Sequence, residues 1–239
     1  MACFCPLFSG SGGNCYYAGG EGGGILIDAG VSARRITAAL DFLSVEPGSI
    51  GAIVVTHEHS DHVYGLRVLA SRLGCAVYSS SGTLEKLRAC GQLPAGTKVE
   101  AIDPRGRETA GMFIKPFATS HDACESVGFV IETDDHRRLA VATDLGMVTR
   151  DVRQAMLGSH LVVLESNHDV GMLEGGRYPG YLKKRILSER GHLSNDDCAS
   201  ELPQLVAAGT TRIFLAHLSR DNNLPGLACH TAQRALAAA

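Results

Sequence analysis

Val54-Val-Thr-His57-Glu-His59-Ser-Asp61-His62 gathers four potential metal ligands where an apolar run gives way to polar side chains. The run from Gly51 to Thr56 has the length of a short buried strand, and a helix is predicted from about Asp61 to Leu73. His57 and His59 are two residues apart, so on an extended strand end both imidazoles point to the same side and can share one ion. Asp61 and His62, at the helix entry, reach a second. Imidazole plus carboxylate suits zinc, and also manganese or iron; no nearby cysteine offers a thiolate-rich structural site. The competing reading, a chance surface cluster of histidines, fits poorly with a strand end that holds side chains rigidly.

Two ions at this density need further ligands. His121 follows Phe117-Ala-Thr-Ser, Asp144 ends Leu139-Ala-Val-Ala-Thr, and His217 ends Ile213-Phe-Leu-Ala. In each case an apolar strand delivers one polar group at its tip, so all three are predicted to converge on one edge of a sheet structure. Around them the chain alternates helix and strand signals. It opens with strands Ala2 to Phe8, Cys15 to Ala18 and Ile25 to Asp28 at hairpin spacing, the start of an antiparallel sheet. Ser32 reads as the N-cap of a helix ending near Leu43, and Ser194-x-x-Asp197 as the cap of a later one. Further strands are predicted at Cys75–Tyr78, Val99–Ile102, Met112–Phe117, Val127–Glu132 and Leu139–Thr143, with a helix near Thr83–Ala89. The class is α/β, sheets covered by helices, in a single domain over residues 1–239 with no linker or repeat.

Composition narrows the class further. Of 239 residues 45% are hydrophobic and 20% charged, which excludes disorder, collagen and coiled coil. Net charge is −3, so any contact with a polyanion has to come from a local basic patch. Apolar runs such as Leu161–Leu164 fall far short of the ~20 residues that cross a bilayer, so no membrane role is expected. Eight scattered cysteines without a CxxC pair point to reduced thiols and a cytoplasmic protein.

The pattern His57-x-His59-x-Asp61-His62, then His121, Asp144 and His217 in order, resembles the metallo-β-lactamase fold hydrolases over nearly the whole chain. Ile25-Leu-Ile-Asp28-Ala-Gly30 looks like that family's supporting strand and turn. The resemblance implies a four-layer αββα sandwich. It also implies two divalent ions, zinc or manganese: one on His57, His59 and His121, the other on Asp61, His62 and His217, with Asp144 bridging and a hydroxide held by both. Leu7–Asn14, Leu164–Asp169, Tyr178–Ser188, Gly191–Asn195 and His217–Asn223 resemble the bacterial WalJ (YycJ/VicX) group within this family. Membership there implies an exonuclease acting from the 5′ ends of double-stranded DNA.

On that reading Asp61 and His192 are the catalytic candidates. His192 in Gly191-His-Leu-Ser-Asn195 serves as general acid or phosphate contact, its alternative being a loop histidine that caps a helix. His168 lines the same pocket or orients a ligand. Lys183, Lys184 and Arg185, flanked by Arg177 and Arg190, are candidates for holding the DNA backbone, against the alternative of a solvated helix face. Tyr178 and Tyr181 either stack on a terminal base or pack under that helix. The Ser9–Asn14 loop either offers backbone amides to a phosphate or forms a tight hairpin turn near the site; the turn is preferred, since no helix lies directly behind it. His136, His160 and His230 receive no role. Two other functions compete: a small-molecule hydrolase opening a thioester, lactone or cyclic phosphodiester, and a non-enzymatic regulatory partner. The complete ligand set opposes the second, because crowded ionisable groups are strained without metal.

Overall fold

Glycine-rich turns fold the first strands back on one another. β1 (Cys3–Phe8) pairs antiparallel with β2 (Cys15–Gly20), and β2 with β3 (Gly23–Ile27). A computed structural model describes residues 2–93 and 96–238 and divides into two units, Met1–Pro116 with Ala123–Arg137 and Phe117–Asp122 with Arg138–Ala239.

In the first unit the sheet continues in parallel through β4 (Ile50–Val54), β5 (Ala76–Ser79) and β6 (Val99–Ala101), in the order β1-β2-β3-β4-β5-β6. Parallel neighbours require crossovers, and helices supply them. These are α1 (Ala33–Phe42), α2 (Ser60–Val63) with α3 (Leu66–Leu73), and α4 (Ser81–Ala89). Ile36 and Leu40 of α1, and Leu66, Leu69 and Ala70 of α3, recur at helical spacing and are buried in one cluster with Leu26, Ile53 and Val77. Each large aliphatic side chain buried this way contributes about 1.5–3 kcal/mol. β7 (Arg107–Thr109) and β8 (Met112–Ala118) form a hairpin, with β9 (Val127–Thr133) next in strand order.

The single helix expected from Asp61 to Leu73 is broken at Tyr64–Gly65. The cause is a close backbone approach. Gly65 N–H donates to the Ala29 carbonyl at 2.8 Å, and a Cβ at Gly65 would stand 2.2 Å from the Val31 carbonyl oxygen. The chain therefore closes on the segment after β3 before the longer helix begins.

In the second unit β10 (Arg138–Ala142), β11 (Leu161–Glu165) and β12 (Arg212–Ala216) run parallel. β10 and β11 are almost wholly buried and read as near-continuous apolar runs. The helices are α5 (Arg150–Met156), α6 (Val170–Gly175), α7 (Gly180–Ile186), α8 (Asn195–Ala207) and α9 (Pro225–Ala237). Ser194 caps α8 as expected, its hydroxyl accepting from Asp197 N–H at 3.1 Å. No described helix is long and apolar enough to cross a membrane, and all eight cysteines are free thiols.

Candidate functional site

In the first unit the residues after β4 turn back toward the end of β3. Asp28, fully buried, accepts from Thr56 N–H at 2.8 Å and from the Thr56 hydroxyl at 2.9 Å. Its Oδ2 also lies 2.7 Å from His62 Nδ1. Burial pushes the Asp28 carboxyl up, against the pull of His62 and Thr56. Because the Thr56 hydroxyl donates to Asp28, it is the acceptor for His57 Nδ1 at 3.0 Å. In both His57 and His62, then, Nδ1 carries the proton and the lone pair falls on Nε2, the arrangement of a metal-ligating histidine held by an oxygen behind it. The His57 ring centroid is 4.6 Å from that of His59 and 4.2 Å from that of His62, and Asp61 Oδ2 is 3.6 Å from His62 Nε2. The structure thus brings the four clustered residues of the sequence motif together.

Backbone seams fix this cluster. Asn14 N–H donates to Asp61 O, Gly30 N–H to Asn14 O, and Ala29 N–H to His62 O, all at 2.7–2.8 Å. At Gly30 the approach is so close that a Cβ would fall 1.6 Å from the Asp61 carbonyl oxygen. Glycine is obligatory there.

The second unit assembles its groups from five separate segments. Asp144 and His217 each follow the end of a strand, and both adopt left-handed backbone, φ 57° and 55°; Asp28 in the first unit does the same at 62°. Glu165, the last residue of β11, is completely buried. One of its oxygens faces Nδ1 of His192 and Nδ1 of His217, both at 2.8 Å, while the other accepts from Leu145 N–H at 2.8 Å. Burial opposes charge on Glu165, but the adjoining His192 and the hydrogen bonds from both histidines hold its carboxyl below the ordinary carboxylate range. The reciprocal effect raises His192, whose burial is outweighed by the charge and hydrogen bond of Glu165. Asp144 Oδ1 is 3.6 Å from His217 Nδ1 and 3.9 Å from His121 Nε2. His121 donates through Nδ1 to Gly191 O at 3.1 Å.

Asp144, Glu165, His192 and His217 each place a donor atom within 4.8 Å of the others'. In His121 and His217, as in His57 and His62, Nδ1 faces an oxygen, so the donor chemistry of these His/Asp clusters suits divalent metal ions.

The other candidates have specific settings. His168 is 1% exposed, and burial lowers its basicity. On α7, Lys183 Nζ donates to the carbonyls of Glu174 and Gly176 at 2.7 Å, Arg185 pairs with Asp122, and Lys184 is exposed. Arg190 donates twice to the His121 carbonyl. Arg185 and Arg190 therefore brace the turn that carries His121, and Lys183 the end of α6. Tyr178 bonds Asp221 at 2.9 Å, whereas Tyr181 is exposed. His160, without a predicted role, accepts from Arg138 N–H at 3.0 Å. Sequence reasoning missed Glu165, Thr56 and Asn14. Glu165 carried a usable signal, since it ends the apolar run Leu161–Leu164 just as Asp144 and His217 end theirs.

Comparison with known proteins adds the following. The model of the Metallo-beta-lactamase superfamily matches residues 9–217. Exodeoxyribonuclease YycJ of Bacillus anthracis is 37% identical over 226 residues, covering 94% of this chain and 85% of its own. Exodeoxyribonuclease WalJ of Streptococcus pneumoniae is 35% identical over 236 residues, 98% and 87% of the two chains. Among solved structures, Zn(2+)-bound PqqB from Methylobacterium extorquens superposes with a TM-score of 0.75 at 18% identity, covering 98% of this chain and 96% of that one.

Proposed function

Since this chain belongs to the metallo-β-lactamase superfamily, with the α/β fold expected of it, we propose that it is a metal-dependent phosphodiesterase, an exodeoxyribonuclease that digests duplex DNA from 5′ ends. We read residues 1–239 as one hydrolase domain working in the cytoplasm, where unpaired thiols persist. The ligands are those the family resemblance implies: His57, His59 and His121 for one ion, Asp61, His62 and His217 for the other, with Asp144 shared. Either zinc or manganese suits this mixture of imidazole and carboxylate. When bound, such ions supply Lewis acidity and neutralise charge on a phosphate.

The chain's own residues do the rest. The observation that carries the reading is the buried Glu165 carboxylate against His192. Cleaving a phosphodiester leaves an alkoxide that needs a proton, and the raised His192 keeps one available near neutral pH. Glu165 holds the proton on Nδ1 and fixes the ring; the Nε2 proton is the one delivered to the departing oxygen. Asp28 and Thr56 keep His57 and His62 in the tautomer that offers Nε2. His168 and the basic turn of α7, with Lys183, Lys184 and Arg185, border the substrate path, Lys184 being an exposed cation for a backbone phosphate.

The test is digestion of 5′-labelled and 3′-labelled DNA duplexes by protein loaded separately with zinc and manganese, with Asp61→Ala and His192→Ala as controls. Release of mononucleotides from the 5′ end, lost in Asp61→Ala, is expected. Hydrolysis of a small phosphodiester or thioester with both duplexes left intact would overturn the reading.

A further inference from the structure

On α7 the large apolar side chains turn away from the core. Tyr181 is 77% exposed and Leu187, at the helix C-cap, 45% exposed, while Ile186 alone in this helix is buried. Tyr181, Lys184 and Leu187 are spaced three apart and so form one ridge along the helix, apolar at both ends with a cation between. Lys184, and Arg177 ahead of the helix, are exposed and make no hydrogen bond or ion pair among the described residues.

The ridge is fastened from behind to segments of the candidate site. Arg185 pairs at 3.0 Å with Asp122, next to His121, and the Ser120 hydroxyl donates to Glu189 O at 2.7 Å. Gly146, two residues after Asp144, donates its N–H to Ser120 O at 2.9 Å, and a Cβ there would stand 2.3 Å from the Ser188 carbonyl oxygen. Met147 therefore emerges, partly exposed, beside the turn that carries Leu187 and lengthens the apolar rim.

Behind this rim the reactive groups are recessed. His121, Asp144 and His217 are nearly inaccessible, and the His192 side chain is 18% exposed. A paired end presents its backbone at the full width of a duplex, so a phosphodiester reaches such groups only after its strand has left the complement. Unstacking an end is costly, and apolar or aromatic side chains placed against the freed base faces offset that cost. The ridge has the chemistry for this: a ring and methyl groups for base faces, and unpaired cations for phosphates.

We infer that this ridge is a strand-parting wedge for duplex DNA ends: Tyr181 and Leu187 stack against the last intact base pair, Lys184 holds the backbone, and the freed strand passes toward His192. The inference rests on the exonuclease reading and deepens it, since it says how a paired substrate enters a recessed site. Tyr181 is a positioning residue and has no part in the bond cleavage.

The experiment has two readouts. In the first, zinc-loaded protein is added to a phosphorothioate-linked blunt duplex, which resists cleavage, with 2-aminopurine at the second nucleotide from the 5′ end, a base that brightens when it leaves the stack. Wild type is expected to brighten it severalfold, and Tyr181→Ala and Leu187→Ser to abolish the change. In the second, digestion of a blunt duplex is compared with that of a duplex mismatched at the same end, where the strands are already parted. The ratio of forked to blunt rates should rise about tenfold in Tyr181→Ala, and Tyr181→Phe should restore the wild-type ratio. A loss of folding or of general affinity slows both substrates alike, and that result overturns the wedge. So do wild-type protein that leaves the probe dark and ridge variants that move neither readout, the last of which leaves the ridge to a protein partner. Brightening that depends on Tyr181, in a protein that digests no DNA, retains the wedge and overturns the exonuclease reading. Digestion of blunt and forked ends at equal rates by wild type and Tyr181→Ala does the reverse.

Discussion

The histidines of the first unit and those of the second are held by opposite strategies. His57, His59, Asp61 and His62 are neighbours in sequence; backbone seams to Asn14 and Ala29 and the close approach of Gly30 to Asp61 place the segment, and Asp28 and Thr56 hold the rings of His62 and His57. His121, His192 and His217 come from distant segments and are fastened by side chains and one carbonyl, with Glu165 gripping two of them. A contiguous motif can rely on local chain geometry. A dispersed set needs a common anchor, and removing that anchor should affect more than one group.

The sharpest way to break this comparison is to remove the charge from each anchor in turn. Asp28→Asn loosens His62 directly and His57 only through Thr56, and should cost about 10–100-fold in DNA digestion or metal affinity. Glu165→Gln disturbs both His192, the proposed proton donor, and His217, so its loss in kcat should exceed that of Asp28→Asn by about tenfold or more. A larger effect at Asp28, measured by single-turnover digestion and metal titration, would show that the two anchors are not ranked as argued. On the backbone side, Gly30→Ala should destabilise the fold by about 3 kcal/mol or more in urea unfolding, because the new methyl meets backbone that cannot swing away. Gly180→Ala, with nothing within 4 Å of its Cβ, serves as the control and should stay within about 0.5 kcal/mol.

The smallest effect concerns pH. Glu165 is held low in the folded chain, so its stabilisation is present above its unfolded value near ~4.3 and is lost as pH falls through the lowered one. His192 is held high, so its share is present below ~6.5 and is lost as pH rises through the raised value. In metal-free protein the Tm gap between wild type and Glu165→Gln should therefore be widest between about pH 4.5 and 6.5, by a few degrees, and narrow above that window. A gap that grows toward pH 9 would contradict the pairing.

The same contrast explains what could be read from sequence. The motif after β4 was legible because its candidate ligands are close enough in the chain for strand geometry alone to bring them together. Asp144 and His217 were legible as polar tips of apolar runs, and the Ser194 cap as a local signal. Glu165 has the same signature but was passed over, because its role is defined by partners 27 and 52 residues away. The break at Gly65 was equally invisible, since it depends on the carbonyls of Ala29 and Val31, which no helical periodicity reports. Lys183 and Arg185 were legible as candidate substrate contacts because a charge run is read from composition, while their partners within the chain, the α6 carbonyls and Asp122, appear only once it folds.

Asp28, Asp144 and His217 share the left-handed backbone noted above, and this limits how the protein can drift or be re-engineered. At each of the three, a replacement must satisfy the turn before its side chain matters. Asparagine tolerates that conformation, while valine or isoleucine clashes at Cβ whatever its neighbours. Swapping chemistry at these strand tips is thus confined to a small alphabet. A graft of this constellation onto another scaffold would have to carry the turns across along with the side chains.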